Sequence, residues 1–265
     1  TGGIVCPFGL TYAFAENAAK NGVKFQFDTT VTGFAPIEGG WRVETDKGSF
    51  ETRLVVNAAG VHADELHNAV DAAHPMQIIA RRGDYFLLDH AAAGHVHHTI
   101  FQLPGKYGKG VLVTPTVHGN LIVGPNAVDV SAPDSRENTL SGMDFVAETS
   151  RKSVPSVDFR QSIRNFAGVR ANTSESDFII RPAKNMPRML HIAGIKSPGL
   201  SAAPAIAEYA IELLESMGIT FEKKESWDGR REQIRFKHLS DEEKAALIAK
   251  DPRYGRIICR SETLT

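Results

Sequence analysis

The sequence predicts an α+β protein built on a large, mostly antiparallel sheet with flanking helices. The chain has 265 residues, which is enough for one large domain or two modest ones. Strand-like apolar runs separated by turn residues fill residues 76–124 and indicate an extended antiparallel sheet. Further along, residues 189–217 contain a strand, a turn of small residues and a long helix in direct succession. Helices are therefore expected at the flanks of the sheet.

Composition and charge exclude several classes of protein. Hydrophobic residues make up 42% and charged residues 23%, a globular mixture that excludes disordered, collagen-like and coiled-coil chains. The formal net charge of -1 provides no basic field, so no nucleic-acid partner is expected. The most apolar segment, residues 200–217, contains glutamates and predicts a packed helix, not a transmembrane segment. Only Cys6 and Cys259 are cysteines, which indicates a reducing compartment and predicts a cytoplasmic protein.

The first part of the chain predicts a helix, a small meander and a buried strand. Apolar spacing predicts a helix over residues 10–21, ended by Gly22. A period of two then predicts an antiparallel meander. Its strands are expected at residues 23–27, 31–37 and 41–45. Residues 54–60 form a continuous apolar run ending in small residues, which predicts a strand buried on both faces, and residues 64–70 predict a helix.

The remaining elements follow from turn signals and periodicity. Strands of the large sheet are predicted at residues 76–80, 85–88, 98–103, 110–115 and 121–124. Later strands are predicted at residues 159–170, 177–181 and 189–194. Helices are predicted at residues 143–154 and 200–217, and a third at 240–250 has Ser240 as N-cap with Glu243 at the capping-box spacing.

Two motifs favour ordinary interpretations over functional ones. Residues 105–110 resemble a phosphate loop, but no Lys-Ser or Lys-Thr follows, so a hairpin turn is predicted. His95, His97 and His98 have no acidic neighbour at ligand spacing, which predicts a solvated loop and no metal site. The common hydrolase signatures are absent from the sequence.

Three cationic positions are candidates for binding an anion. Lys196 lies in the turn before the long helix, whose N-terminus attracts negative charge, although a solvated lysine is the alternative. Arg170 ends an apolar strand, where its guanidinium could make either a bidentate contact with an anion or a structural salt bridge, and the sequence favours neither. Arg82 precedes Asp84, and this neighbour favours a structural pairing.

Several stretches, in this order, resemble the FAD-dependent oxidoreductases of the D-amino-acid oxidase superfamily over nearly the whole chain. Within the superfamily, the sequence is most similar to the anaerobic-type FAD-dependent glycerol-3-phosphate dehydrogenases and the related L-2-hydroxyglutarate oxidases. The matching stretches are PFGLTYAFAENAAKNGV, RLVVNAAGVHADEL, ARRGDYFLLD, GKGVLVTPTVHGNLIVGP, NFAGVRA, DFII and HIAGIKSPGLSAAPAIAEYA.

The resemblance implies roles for particular residues. It adds to the sheet domain the C-terminal part of a discontinuous FAD-binding domain. The implied cofactor-binding residues are Thr30, Val31, Ala58, Ala59, Gly60, Gly194, Ile195, Gly199, Leu200 and Ser201. Thr30 and Val31 would lie at the adenine end, and residues 194–201 would frame the isoalloxazine ring. Arg170 and Lys196 would face the substrate, with Tyr85 and Arg82 as further catalytic candidates in the same pocket.

The resemblance also implies a reaction and a division into domains. The reaction is oxidation of a small anionic secondary alcohol, foremost glycerol 3-phosphate, by hydride transfer to FAD. L-2-Hydroxyglutarate or amino-acid oxidation and a flavin-free association module are the alternatives, and the electron acceptor is left open. The implied segments are a partial FAD-binding domain (1–60), the substrate sheet (61–175), an FAD-binding strand, turn and helix (176–220), and a charged extension (221–265).

Two departures from the family pattern lead to further expectations. No G-x-G-x-x-G motif occurs, so the usual pyrophosphate anchor is missing and a piece of a longer protein is predicted. Purified alone, this chain is expected to hold no stoichiometric FAD and to self-associate through exposed sheet edges at residues 54–57 and 189–192. Cys259-Arg260-Ser261 replaces the family's Cys-Arg-Cys motif, so no iron-sulfur cluster is expected.

Overall fold

A computed structural model describes residues 3–103, 105, 110–230 and 234–258, and two compact units divide the chain. Unit 1 comprises Thr1–Leu10 and Phe25–Lys223, and unit 2 comprises Thr11–Lys24 and Lys224–Thr265. Most of the predicted 105–110 hairpin and the Cys259-Arg260-Ser261 motif lie outside the described residues. The division into four segments stays a prediction.

The described residues form α-helices and three β-sheets, which confirms the predicted α+β class. The helices are α1 (Pro7–Lys20), α2 (Ala63–Asn68), α3 (Leu140–Arg151), α4 (Gly199–Ser216) and α5 (Asp241–Lys250). The strands are β1 (Val31–Ile37), β2 (Gly40–Thr45), β3 (Gly48–Thr52), β4 (Val55–Asn57), β5 (Ile78–Leu88), β6 (Leu112–Pro115), β7 (Leu121–Gly124), β8 (Val128–Asp129), β9 (Ser162–Thr173), β10 (Ile179–Pro182) and β11 (Met189–Ala193). No described helix is long and apolar enough to cross a membrane.

The first sheet is the predicted antiparallel meander, in the order β1-β2-β3. Its turns contain Gly39 and Gly48 with φ of 76° and 124°, conformations that L side chains rarely adopt. The prediction of a strand at residues 23–27 is wrong, because these residues pair with no strand of the described part of the chain and Asp28 follows with a φ of 51°.

The second sheet has the order β10-β11-β4, with β11 parallel to β4 and antiparallel to β10. Leu190 of β11 packs against Ala210 and Leu214 of α4 and is fully buried. The expectation that residues 189–192 form an exposed edge is therefore wrong, since β11 is the central strand. The expectation that residues 54–60 are buried on both faces is also wrong, because β4 is an edge strand and Val56 is 42% exposed.

The third sheet has the order β6-β7-β5-β8, and β9 pairs antiparallel with β5. The strands predicted at residues 76–80 and 85–88 are one continuous strand, because the residues between them also pair with β9, as Gly83 does with Gly168. The strand predicted at residues 98–103 is reduced to a single bridge between Ile100 and Val113.

The hydrophobic core of unit 1 lies chiefly against the third sheet. Fully buried side chains from β5, β6, β7 and α3 form its largest cluster. They include Leu88, Val113, Leu121, Val123 and Val146. Burial of this apolar area favours folding by about 25 cal/mol per Å2. The packing also holds β5 in place, and with it the polar side chains that β5 carries.

Unit 2 joins part of α1 to the C-terminal segment through polar contacts. Asn17 Nδ2 and Asn21 Nδ2 each donate to the carbonyl oxygen of Asp228 over 2.9 Å. Ser240 caps α5, and the reciprocal bond from its backbone N–H to the Glu243 carboxylate completes a capping box. The predicted helix start at Ser240 is thus confirmed.

Candidate active site

A cleft of about 1170 Å3 opens beside β5 and β9 in unit 1. Its wall includes side chains from both strands, from the N-terminal part of α3 and from the turn before α4. All four residues predicted as catalytic border it: Arg82, Tyr85, Arg170 and Lys196. The structure thus brings together positions that lie up to 114 residues apart in the sequence.

The register of β5 and β9 decides which side chains share a face. Arg81 pairs with Arg170 and Tyr85 pairs with Phe166, so these four residues lie on one face of the ladder. The Tyr85 and Phe166 rings stack with their centroids 5.1 Å apart. Arg82 lies on the opposite face, because side chains alternate along a strand.

Arg170 lies against the backbone of Gly83. A Cβ added at Gly83 would lie 2.9 Å from Arg170 Nη2 and 2.6 Å from Pro125 Cβ, so only glycine fits there. Among the described residues, the Arg170 guanidinium and the Lys196 ammonium have no hydrogen-bond or ion-pair partner. Two cations without a described acidic partner therefore border the same cleft.

Arg82 donates a hydrogen bond to Ser135 and lies at the limit of ion-pair distance from its sequence neighbour Asp84. Its Nη1 donates to Ser135 Oγ over 3.1 Å, and its Nε lies 4.0 Å from Asp84 Oδ1. Asp84 is fully buried and accepts hydrogen bonds from Asn126 Nδ2 over 2.7 Å and Asn138 Nδ2 over 2.8 Å. This arrangement, the Asp84 cluster, fastens the loop after β7 and the residues before α3 onto β5.

Arg81 also borders the cleft, but its charge is engaged. Its Nε and Nη2 contact the two carboxylate oxygens of Asp129 over 2.6 and 3.0 Å. This bidentate pair lowers the pKa of the Asp129 carboxyl below its usual value. Arg81 and Arg170 thus form a matched pair, since they are opposite in register but only Arg81 has a described acidic partner.

Two turns leave the same edge of the second sheet. Because β4 and β11 are parallel neighbours, Ala58 to Gly60 and Gly194 with Ile195 follow their adjacent carboxyl ends. Such an edge is where open sheets bind nucleotide ligands. Gly60 and Gly194 have φ of 59° and 63°, and a Cβ at Gly194 would lie 2.9 Å from Thr173 Cγ2 at the end of β9.

The turn after β11 ends at the N-terminus of α4. Pro198 is the N-cap residue and no side chain caps the helix, while the Gly199 N–H donates to Lys196 O over 2.7 Å. Leu200 and Ser201 lie in the exposed first turn, where unpaired backbone N–H groups favour a negative ligand.

Thr30 and Val31 are at the start of β1, and neither borders the cleft. The Thr30 N–H donates to Asp46 Oδ1 over 2.9 Å. The ten predicted cofactor residues thus include two that belong to the meander and eight that belong to the two turns and α4.

Sequence reasoning missed several residues of this region. Asn172 borders the cleft two positions after Arg170, and the two-residue period of a strand was a signal that could have found it. Asn57 and His191 were missed as well, and they form a buried polar contact behind the turn at residues 58–60. No group of three or more His, Cys, Asp or Glu in the described ranges is arranged to hold a metal ion.

The residues present fit a dinucleotide with a flavin ring. The small-residue turns leave room for close backbone approach, and the uncapped N-terminus of α4 offers positive potential to negative charge. The cleft with Arg170 and Lys196 begins at the same turn, since Lys196 and Ser197 border it.

Comparisons with known proteins identify the family. The family described as FAD dependent oxidoreductase matches residues 1–213. A glycerol 3-phosphate dehydrogenase from Caloramator mitchellensis is 45% identical over 100% of this chain and 55% of its own length. A glycerol 3-phosphate oxidase from Mycoplasma genitalium is 38% identical over 68% of this chain and 46% of its own.

One solved structure extends the similarity to the fold. Dithionite-reduced L-alpha-glycerophosphate oxidase from Mycoplasma pneumoniae, with FAD bound, is similar with a TM-score of 0.74 and 33% identity, over 82% of this chain and 57% of its own. The chain spans about half the length of the curated relatives it matches. The predicted resemblance is confirmed, and the chain belongs to the FAD-dependent oxidoreductase family.

Proposed function

We propose that this chain forms the substrate side of an FAD-dependent enzyme that oxidises glycerol 3-phosphate. The observation that carries the proposal is the pair of cations, Arg170 and Lys196, which border one cleft without described acidic partners. Such a pair suits a small dianion. The names of the relatives from Caloramator and Mycoplasma support the same substrate.

The turn at residues 58–60 and the turn and helix start at 194–201 are the positions that would hold FAD. FAD supplies the acceptor for a hydride, which leaves negative charge near N1 of the ring. The uncapped N-terminus of α4 and the nearby Lys196 would stabilise negative charge there. Thr30 and Val31 are proposed at the adenine end.

Arg170 is proposed to bind the phosphate through its planar guanidinium, which matches two phosphate oxygens. Its position against Gly83 restricts the guanidinium to one side of the β5–β9 ladder. Tyr85, stacked on Phe166, would orient the carbon frame of the substrate. Arg82 is proposed as a support of the wall, because the Asp84 cluster already engages its side chain.

The proposal is tested by anaerobic reduction of the FAD-loaded enzyme with alternative substrates. Glycerol 3-phosphate should bleach the flavin at least a hundredfold faster than L-2-hydroxyglutarate or an amino acid, on the order of the discrimination that unpaired buried charges produce. Faster flavin reduction by L-2-hydroxyglutarate or an amino acid would contradict glycerol 3-phosphate as the substrate and favour that compound instead. A longer form of the protein that contains a pyrophosphate-binding motif but binds no added FAD would instead favour the association module.

The flavin content of the purified 265-residue chain is a separate test. With no G-x-G-x-x-G motif to hold the pyrophosphate, we expect the chain to be folded but essentially colourless. The remaining contacts must overcome the roughly 4 kcal/mol or more that association costs. An absorbance peak near about 450 nm at one flavin per chain would contradict this expectation.

A further inference from the structure

A series of buried polar side chains leads from α2 to the turn at residues 58–60. His67 Nδ1 lies 3.0 Å from His191 Nε2, and His191 Nδ1 lies 3.4 Å from Asn57 Nδ2. All three side chains are buried, and the two imidazole rings meet edge to face at 4.8 Å. None of them borders the cleft, so the proposed reaction leaves this cluster, the histidine relay, without a role.

The contacts determine which nitrogen of each ring carries hydrogen. His67 Nε2 lies 2.8 Å from the carbonyl oxygen of His74, and a carbonyl only accepts, so His67 Nε2 must donate. In the neutral ring, His67 Nδ1 is then an acceptor, and His191 Nε2–H donates to it. His191 Nδ1 is left as the acceptor for Asn57 Nδ2–H. The hydrogen bonds therefore run in one direction with both rings neutral.

The relay fixes the orientation of the Asn57 amide. Asn57 Nδ2 also donates to Ala63 O over 2.8 Å, while Asn57 Oδ1 accepts from the Ala59 N–H over 3.3 Å. A flipped amide would set Oδ1 against the Ala63 carbonyl and the lone pair of His191 Nδ1. In that flipped orientation Oδ1 would face two other acceptors without a hydrogen, which is unfavourable. The observed orientation is therefore preferred, and its hydrogen bonds to Ala59 and Ala63 hold the turn between them.

We propose that His67 and His191 are positioning residues that hold the Asn57 amide, and through it the turn at residues 58–60, in the conformation that approaches FAD. This inference rests on the proposed function, because that function assigns the turn to the cofactor. The described hydrogen bonds connect His67 to the turn through His191 and Asn57. An effect of a His67 substitution on the turn would therefore be transmitted by the relay.

Nitrogen NMR of the imidazole rings tests the direction of the relay. Both His67 and His191 should show hydrogen on Nε2 and none on Nδ1, as the hydrogen bonds to His74 O and from Asn57 Nδ2 require. A ring with hydrogen on Nδ1, or a protonated ring, would overturn the relay.

Amide exchange tests the coupling from His67 to the turn. His67→Phe should speed exchange of the Ala59 amide by about tenfold or more, as expected for the loss of one hydrogen bond. His67→Gln, which retains a donor for His74 O, should stay within about threefold of the wild type. Trp41→Phe is the matched control, because it removes a 2.8 Å bond from Nε1 to Pro187 O outside the relay.

Equal acceleration in Trp41→Phe, or none in His67→Phe, would overturn the inference. Titration of the same variants with FAD, in a longer form of the protein that contains a pyrophosphate-binding motif and followed by flavin fluorescence, separates it from the proposed function. We expect the Kd for FAD to rise in His67→Phe by about the same factor as the exchange rate, and to recover in His67→Gln. Faster Ala59 exchange with an unchanged Kd for FAD would show that the turn does not contact the cofactor, which contradicts the proposed function. Unchanged Ala59 exchange together with tight FAD binding would contradict the relay alone.

Discussion

Arg82 and Arg170 lie within one residue of each other in the β5–β9 register, yet their surroundings differ. Arg82 is 7% exposed and is held by Ser135 and the fully buried Asp84. Arg170 lies on the opposite face, against Gly83, with no described acidic partner. The comparison teaches that a described polar or acidic partner, not strand alternation alone, separates a structural arginine from one available to an anion, because Arg81 shares the face of Arg170 and is still paired with Asp129.

The Asp84 cluster should show the largest effect on stability. Asp84→Ala leaves Asn126, Asn138 and Arg82 without their buried partner, which should cost about 3 to 5 kcal/mol in the free energy of unfolding. Urea denaturation measures this. Asp129→Ala, which removes the exposed partner of Arg81, is the control and should cost no more than about 1 kcal/mol. Similar losses in both variants would contradict the assigned difference between buried and exposed pairs.

The histidine relay predicts a pH-dependent stability. Burial, followed by the charges of His67 and Arg181, lowers the pKa of His191 from 6.5 to about 4. The unfolded chain then binds the extra proton between these values, so His191 contributes stability above pH 6.5 that falls as the pH drops toward 4. The loss should reach about 3 kcal/mol.

Urea unfolding between pH 7.5 and 4.5 measures this slope. The other groups facing the relay are Asn57, which does not titrate, and Asp71 through its hydrogen bond with His74. His191→Gln should flatten the slope while Asp71 is retained. A wild-type stability that does not change over this range would show that His191 is not buried in neutral form.

Lys196 should affect the flavin more than substrate binding. Lys196→Met removes a positive charge beside the N-terminus of α4, so the reduction potential of bound flavin should fall by about 30 mV, or about 1.4 kcal/mol for two electrons. Potentiometry and stopped-flow reduction measure the effect. An unaltered potential and reduction rate would identify Lys196 as a solvated lysine.

The edge strand β4 should show the smallest effect. We expect self-association through its free edge, where Val56 is 42% exposed. Val56→Lys should favour the monomer in sedimentation velocity and change the free energy of unfolding by less than about 0.5 kcal/mol. An unchanged distribution of species would exclude this edge as the contact.

Periodicity and turn chemistry predicted most of the fold, and local rules failed where long-range pairing decided. The sequence predicts separate strands on either side of residues 81–84, but pairing with β9 keeps β5 continuous through them. The position of β11 at the centre of its sheet depends on β4 and β10, which are distant in sequence.

The candidate site was predictable to a similar degree. Arg170 could be chosen because it lies at the end of a predicted apolar strand, and Lys196 because it lies in the turn before a helix N-terminus; the structure places both on one cleft. Their lack of described partners could not be predicted, since the acidic residues of this region pair elsewhere, as Asp129 pairs with Arg81. The histidine relay was not visible either, because His67 and His191 are 124 residues apart.

The most direct test of the central claim is the KM for glycerol 3-phosphate after removal of the available arginine. Arg170→Ala in the FAD-loaded enzyme should raise KM by about thirtyfold to a thousandfold and lower kcat less, since a phosphate clamp contributes about 2 to 4 kcal/mol of mostly uniform binding. Arg81→Ala is the matched control and should change KM by less than about threefold, because Asp129 already engages its charge. An unchanged KM in Arg170→Ala, or an equal rise in Arg81→Ala, would contradict the account.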